Sequence, residues 1–251
     1  PKEQDLYSGA GTDFYDRLVG SDRAEIREML ALARGTEGPI LDVAAGSGRL
    51  TVPLVRSGKR VTAIDLSDDM LSRLRRTLPD HAMLECVVAD MRDFSLPQQF
   101  GLVIIGATSI TLLDRVGRSL LYATVRRHLT AHGVFAFTVA GNASAESFSV
   151  STDCEIEVPG PDGAETYVFS QQVEEDGAAR IVNWVRVADL VEGGDVTVIT
   201  SRLRVLDHEI LSRELVHAGF AAPAVSPVRT LGGEDIVLLT TTFAGHSGGE
   251  G

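Results

Sequence analysis

The sequence predicts an α/β fold: a doubly wound, mostly parallel sheet with helices on both faces, interrupted late in the chain by an antiparallel β insertion. Three observations carry that expectation. Between about residues 40 and 139, short continuous apolar runs alternate with stretches of helical period, the pattern of a parallel sheet buried on both sides. From about 153 to 206 the helical period vanishes, and segments rich in β-branched residues are separated by Gly- and Pro-containing turns. The chain then returns to one helix and two strands.

Taken in order, residues 13–34 read as helical, with Ile26, Met29, Leu30 and Ala33 three or four apart and Gly35 and Gly38-Pro39 as the stop. Ile40-Leu41-Asp42-Val43-Ala44 is a buried-strand run leading into Gly46-Ser47-Gly48, and a helical stretch carrying Leu50, Leu54 and Val55 closes at Gly58. Val61–Asp65 is the second strand, and Ser67 is the expected N-cap of a helix carrying Met70, Leu71 and Leu74. Leu84–Asp90, Leu102–Gly106 and Val134–Val139 are the third, fourth and fifth strands, with a helix over 117–129. The insertion is expected to hold strands at 153–158, 165–174, 180–191 and 195–205, with turns at Pro159–Gly163, Asp176-Gly177 and Gly193-Gly194. A helix over 207–218 ends at Gly219, strands come next at 221–229 and 235–243, and a Gly-rich tail is expected to fray. The resulting division is an N-terminal helical cap (1–38), a core (39–144 with 207–244), the β insertion (145–206) and the tail (245–251).

Composition narrows the function classes. The 251 residues are 44% hydrophobic and 23% charged, which excludes a mainly disordered chain. No run approaches the ~18 apolar residues of a membrane span, and Pro1-Lys2-Glu3-Gln4-Asp5 does not read as a signal peptide. Two cysteines, Cys86 and Cys154, are too few for a disulfide scaffold or a thiolate metal site, so a cytoplasmic setting and no metal are expected. With 35 acidic against 23 basic residues the net charge is −12, which disfavours nucleic acid as a partner, and without a span no membrane partner is expected. The imbalance is concentrated in 145–200, where 12 acids meet only Arg180 and Arg186. Such a segment would attract a cationic substrate; equally, its acids could cover the solvated face of a sheet.

The chemistry-bearing stretch is Leu41-Asp42-Val43-Ala44-Ala45-Gly46-Ser47-Gly48. A Gly-rich turn between a first strand and a helix lets a ligand approach the backbone, and it is also compatible with a plain tight turn. Asp65, 19 residues after Gly46 and at the tip of the next strand, is placed to accept ribose hydroxyls. Asp90 ends the third strand, where it could accept from an adenine amino group, with Met91 lying on the ring. The spacing is not that of a dinucleotide fingerprint, since Thr51 stands where a third glycine would be. Asp42 repels a pyrophosphate and suits an ammonium group, and no basic residue lies within 40–48. A ribose, an adenine and a cationic amino-acid head together describe S-adenosylmethionine (SAM).

On these motifs the chain resembles the class I SAM-dependent methyltransferases over about 13–140 and the last two strands. The resemblance implies a Rossmann-like sheet of seven strands with the last antiparallel. It places Asp42, Ala44 and Gly46-Ser47-Gly48 beside the methionine part of the cofactor, Asp65 on the ribose, Leu66 beneath the adenine and Asp90-Met91 at the adenine edge. The family usually has glycine where this chain has Ala44. The insertion is similar to the antiparallel lid of glycine and amino-sugar N-methyltransferases, and the whole chain resembles methyltransferases of bacterial natural-product pathways, including those acting on daptide-type peptides. These likenesses imply N-methylation of a small-molecule or peptide amine, with S-adenosylhomocysteine (SAH) as product and a homodimer as the assembly to consider. Family likeness also makes Tyr7 and Tyr15 the candidates for ordering substrate or the SAM carboxylate, with packing against the sheet as the competing role.

Other candidates are weaker. Arg23 and Arg49 could pair with the SAM carboxylate or be surface charges. Ser109 and Thr111 could line the pocket, Asp114 could cap the next helix, His128 reads as the end of a surface helix, and Cys86 reads as core. An O- or C-methyltransferase of the same fold stays open, as do a non-catalytic SAM-binding module and a nicotinamide-dependent oxidoreductase, against which Asp42 and Thr51 argue.

Overall fold

A computed structural model of the chain describes residues 1–20, 24–191, 195–230 and 235–245. The seven-stranded sheet has the order β11(Ala224–Pro227)-β12(Ile236–Thr241)-β6(Leu129–Ala140)-β5(Phe100–Ile105)-β2(Ile40–Val43)-β3(Val61–Asp65)-β4(Leu84–Val88). β6, β5, β2, β3 and β4 run parallel, and β12 is antiparallel to β6. The reversal of strand order beside β2 makes the carboxyl ends of β2, β3 and β5 a crevice, the place where open α/β sheets bind ligands.

The central strands are apolar throughout because both faces are covered. On one face Leu41, Val43, Val103 and Phe135 pack with Leu121 and Tyr122 of α5(Arg115–His128) and Leu211 and Leu215 of α7(His208–His217). On the other, Ile40, Val61 and Leu102 pack with Met29 of α2(Ile26–Gly35), Leu54 of α3(Thr51–Arg56) and Leu71 and Leu74 of α4(Asp68–Thr77). Ser67 caps α4 by accepting from the Met70 amide, and Asp114 caps α5 by accepting from that of Gly117.

A second, five-stranded sheet has the order β1(Lys2–Asp5)-β10(Thr197–Arg204)-β9(Ala179–Arg186)-β8(Gly163–Val173)-β7(Thr152–Gly160), antiparallel except for β1 against β10. Its inner face, with Val158, Tyr167, Val182, Trp184 and Ile199, closes over Leu6 and over Phe14 of α1(Ala10–Val19). The remaining helix, α6(Asn142–Phe148), joins the two sheets after β6.

Several expectations change. The helix expected over 13–34 is two helices, α1 ending beside Gly20 and α2 beginning after Glu25, whose backbone is left-handed (φ 61°). Residues 2–5 form an edge strand of the second sheet, which their charged composition hides. His128 does end α5, but it is buried there and not at the surface: its Nε2 accepts from the Leu96 amide at 3.0 Å and its ring lies against Phe94. Cys86 is partly exposed on the edge strand β4, and both cysteines are free. Arg23, the Gly193-Gly194 turn and the tail beyond Gly245 lie outside the described residues.

Candidate active site

A cavity of about 390 Å³ opens at the carboxyl tips of β2 and β3, roofed by the N-terminal segment. Asp65 forms its floor. The Gly46 amide donates to Oδ2 and the Ser67 amide to Oδ1 of Asp65, each at 2.8 Å, so the carboxylate ties the turn after β2 to the turn after β3. Burial raises the Asp65 carboxyl while those two amides pull it back. Gly46 needs its left-handed backbone (φ 57°), and a Cβ there would meet only open space.

The other predicted residues divide. Ala44, Leu66, Asp90 and Met91 line the same cavity as Asp65 and Gly46, and so do Tyr7, Tyr15 and Ser109. Asp90 is clasped by Arg92, whose Nη2 lies 2.5 Å from Oδ2, and that pairing holds its carboxyl below the usual range. Asp42 lies in a small adjoining recess shared with Tyr15, Ala44 and Gly46. It is buried, accepts from Thr51 Oγ1 at 2.5 Å, and burial pushes its carboxyl up to about 7. Ser47 and Gly48 line a neighbouring groove, and Ser47 also borders the recess that holds Asp42. Ser47 donates to Asp16, and a Cβ on Gly48 would come within 2.4 Å of Leu74, so Gly48 permits α3 to pack on α4. Thr111 is buried and donates to the Thr108 carbonyl.

Tyr7 and Tyr15 meet edge to face at 5.3 Å over the cavity. Burial raises both phenols above their ordinary value, and Tyr7 also shares a hydrogen bond with Ser201. Burial thus keeps both phenols protonated at physiological pH, and both line the cavity.

One residue that shapes the rim of the site escapes the sequence reading. Glu25, 2% exposed, accepts from the Ala107 amide at 2.7 Å, from Arg49 Nη2 and from Thr138 Oγ1. It holds the loop after β5, where Ala107 and Thr108 are both left-handed (φ 51° and 55°), a strained turn beside the cavity. Arg49 is therefore an internal partner and not a free surface charge. Glu25 carries no local motif; only the tertiary fold brings it to residues 49, 107 and 138.

Among the described residues, the cavity is lined by three carboxylates, Asp5, Asp65 and Asp90, against one cation, Arg92, which already pairs with Asp90. That balance suits a cationic ligand with a diol and opposes a diphosphate. The acids of the five-stranded sheet do not add to it: Asp153, Glu155 and Glu157 alternate on exposed positions of the edge strand β7, and Glu165 and Glu174 pair with arginines.

Comparison with known proteins agrees with this geometry. The family described as "Methyltransferase domain" matches residues 40–133. The crystal structure of the glycopeptide N-methyltransferase MtfA complexed with SAM is 32% identical, covers 88% of this chain and 93% of its own, and superposes with a TM-score of 0.64. The dTDP-3-amino-3,4,6-trideoxy-alpha-D-glucopyranose N,N-dimethyltransferase of Streptomyces venezuelae is 28% identical over 205 residues, 78% of this chain and 80% of that protein. Nodulation protein S of Rhizobium tropici is 27% identical over 127 residues, and there the chain spans about half of the relative, 53%, with 51% of itself.

Proposed function

The chain belongs to the SAM-dependent methyltransferases, and from that premise we propose that it methylates the amine of a natural product, an amino sugar or a modified peptide terminus. The observation that supports nitrogen over oxygen or carbon is that the two relatives matched over most of their length are both named for transfer to nitrogen. The acid-lined cavity supports a cationic nucleoside over a dinucleotide, which disfavours the oxidoreductase reading. A small-molecule or peptide amine is the substrate proposed, in a cytoplasmic setting, with neither nucleic acid nor membrane as partner and with a homodimer as a proposed assembly. No described helix is long and apolar enough to cross a membrane.

The residues present fit the cofactor. Asp65, already oriented by two amides, would take the ribose hydroxyls; Leu66, Asp90 and Met91 would border the adenine; Ala44 and Gly46 would face the methionine portion, with Asp42 behind them. Bound SAM supplies a methyl group on a sulfonium, an electrophile that needs no further activation. The chain supplies placement: Tyr7 and Tyr15 close the cavity against water, and in-line positioning accounts for roughly 7–11 kcal/mol of the barrier in well-oriented reactions. An amine must lose its proton before it attacks, and a dry cleft favours the neutral form.

The test incubates the chain with SAM and a panel of amino sugars and peptides and follows mass. One or two added methyl masses on nitrogen are expected. Asp65→Ala should weaken SAH about 100-fold, on the order of 2.7 kcal/mol, while leaving the fold intact. Methylation of oxygen or carbon alone, or SAH binding without transfer to any amine, would overturn the reading.

A further inference from the structure

Arginines in this chain meet carboxylates in a recurring way. Arg118 donates from Nε and Nη2 to the two oxygens of Glu214, both at 2.7 Å. Arg202 does the same to Glu174, both at 2.6 Å. Arg186 uses the same edge on Oδ1 of Asp189, at 3.1 and 2.6 Å. The Nε–Nη2 edge is the planar fork that matches a carboxylate or a phosphate.

Arg180 holds that edge open. Its Nη1 donates to Gln171 Oε1, and its guanidinium stacks on Phe148, 3.6 Å from the ring centroid. Its Nε is buried without an acceptor. Among the described residues no carboxylate pairs with it and no hydrogen bond leaves Nη2, and burial brings the guanidinium down to about 10. A cation withdrawn from water without a counter-ion is costly, and the three arginines above show that the chain otherwise provides one.

Its place in the fold says what could arrive. Arg180 on β9 is opposite Val173 of β8 and Leu203 of β10, on the same face as Val182 and Trp184, the face that closes over α1. Gln171 fixes the position by donating to the carbonyls of Ser147 and Val150, at 3.1 and 2.6 Å, at the end of α6. Tyr7, which lines the cavity, is the ionisable neighbour acting on Arg180. Arg180 thus sits between the second sheet and the segment leaving the carboxyl end of β6.

We propose that Arg180 anchors the acceptor: its Nε–Nη2 fork receives an oxyanion, carboxylate or phosphate, carried by the substrate beside its amine. This rests on the amine reading above, and the test is a binding measurement on the intact, SAH-loaded chain, independent of turnover. Inorganic pyrophosphate probes the phosphate source and N-acetylglycine, which has no free amine, the carboxylate source. The ¹⁵Nε–¹H resonance of Arg180, assigned as the one lost in Arg180→Lys, should shift saturably with one probe or the other. The bound probe should weaken about tenfold or more in Arg180→Gln and less in Arg180→Lys, which keeps charge and loses the fork, while SAH affinity stays unchanged. A resonance that neither probe moves, or equal affinity in Arg180→Gln, overturns the anchor. Should Arg180→Gln fail to fold, the wild-type resonance and Arg180→Lys decide. A chain that binds SAH and the anion yet methylates no amine would overturn the proposed function and leave the fork intact as a site.

Discussion

The strand tips of the seven-stranded sheet and the inner face of the five-stranded sheet build their functional groups by different means. At the strand tips the backbone does the positioning: two amides hold Asp65, and left-handed residues at 44, 46, 107 and 108 turn the chain away at the cavity's edge. On the five-stranded sheet, side chains position one another between segments, as Gln171 positions Arg180 across strands and as Arg17 of α1 and Arg186 of β9 both bind Glu165. Backbone-built sites obey local rules of spacing and glycine placement, whereas side-chain-built sites depend on register between segments far apart in sequence.

Glu25 is the exception that tests this contrast hardest, because a side chain there performs the backbone's task at the strand tips. Glu25→Ala would remove the carboxylate that accepts from the Ala107 amide and the Thr138 hydroxyl and would take from the Arg49 guanidinium its buried counter-ion, leaving it the Ala24 carbonyl. The expected loss is about 3–5 kcal/mol in urea unfolding, the range for breaking a buried ion pair from one side. A loss below about 1 kcal/mol would mean that the loop after β5 holds itself, and the contrast would then be absolute.

The same contrast explains which features are legible in the sequence. The alternation of strand and helix and the caps at Ser67 and Asp114 follow from local pattern, which also puts Asp65, Gly46, Asp90 and Met91 at strand ends that border one cavity, whereas the seven-stranded order comes from the family resemblance. Glycine spacing does not reveal that Gly48 also makes room for Leu74. Glu25 and Arg180 are invisible as partners, since residue 25 meets 107 and 138 only through the tertiary fold, and residue 180 meets 148 and 171 only through strand register. The acid excess of 145–200 suggests a cation-attracting lid, but on β7 strand alternation sends Asp153, Glu155 and Glu157 outward to solvent. The likeness to N-methyltransferases supports the amine in its place.

The two regions should also answer pH in opposite directions. Asp42 titrates near pH 7 in the folded chain against an ordinary 3.8, so the native state holds its proton more tightly than the unfolded state. Stability should therefore fall as pH rises between about 4 and 7, with a slope of up to ~1.4 kcal/mol per unit from this group. Asp42→Asn should remove that slope, so that variant and wild type converge at low pH and the variant is the more stable above neutrality. Glu165 runs the other way, because the hydrogen bond from Arg17 holds its carboxyl below the ordinary range. Its contribution is present at neutral pH and is lost as pH falls through the depressed folded-state value; Glu165→Gln should remove that acid-side dependence. Unfolding curves of the two variants across pH would show it, and identical slopes would refute the assignment.

The smallest effect concerns Ala44, which adopts φ 56° at the strand tip. Holding alanine left-handed costs on the order of 1 kcal/mol, and Ala44→Gly removes that strain. Glycine also loosens the unfolded chain, a penalty of about 0.4–1 kcal/mol in the opposite direction. The two nearly offset, so stability should move by less than about 0.5 kcal/mol, with SAH affinity equally steady because the Asp65 amide contacts come from Gly46 and Ser67. Ala44→Val separates the strain from the entropy: a β-branched residue cannot rest at positive φ, and it should destabilise by on the order of 2 kcal/mol. If valine were as well tolerated as glycine, the backbone at this tip would not be imposing its conformation, and the strand-tip half of the cleft would be no more backbone-built than the antiparallel half.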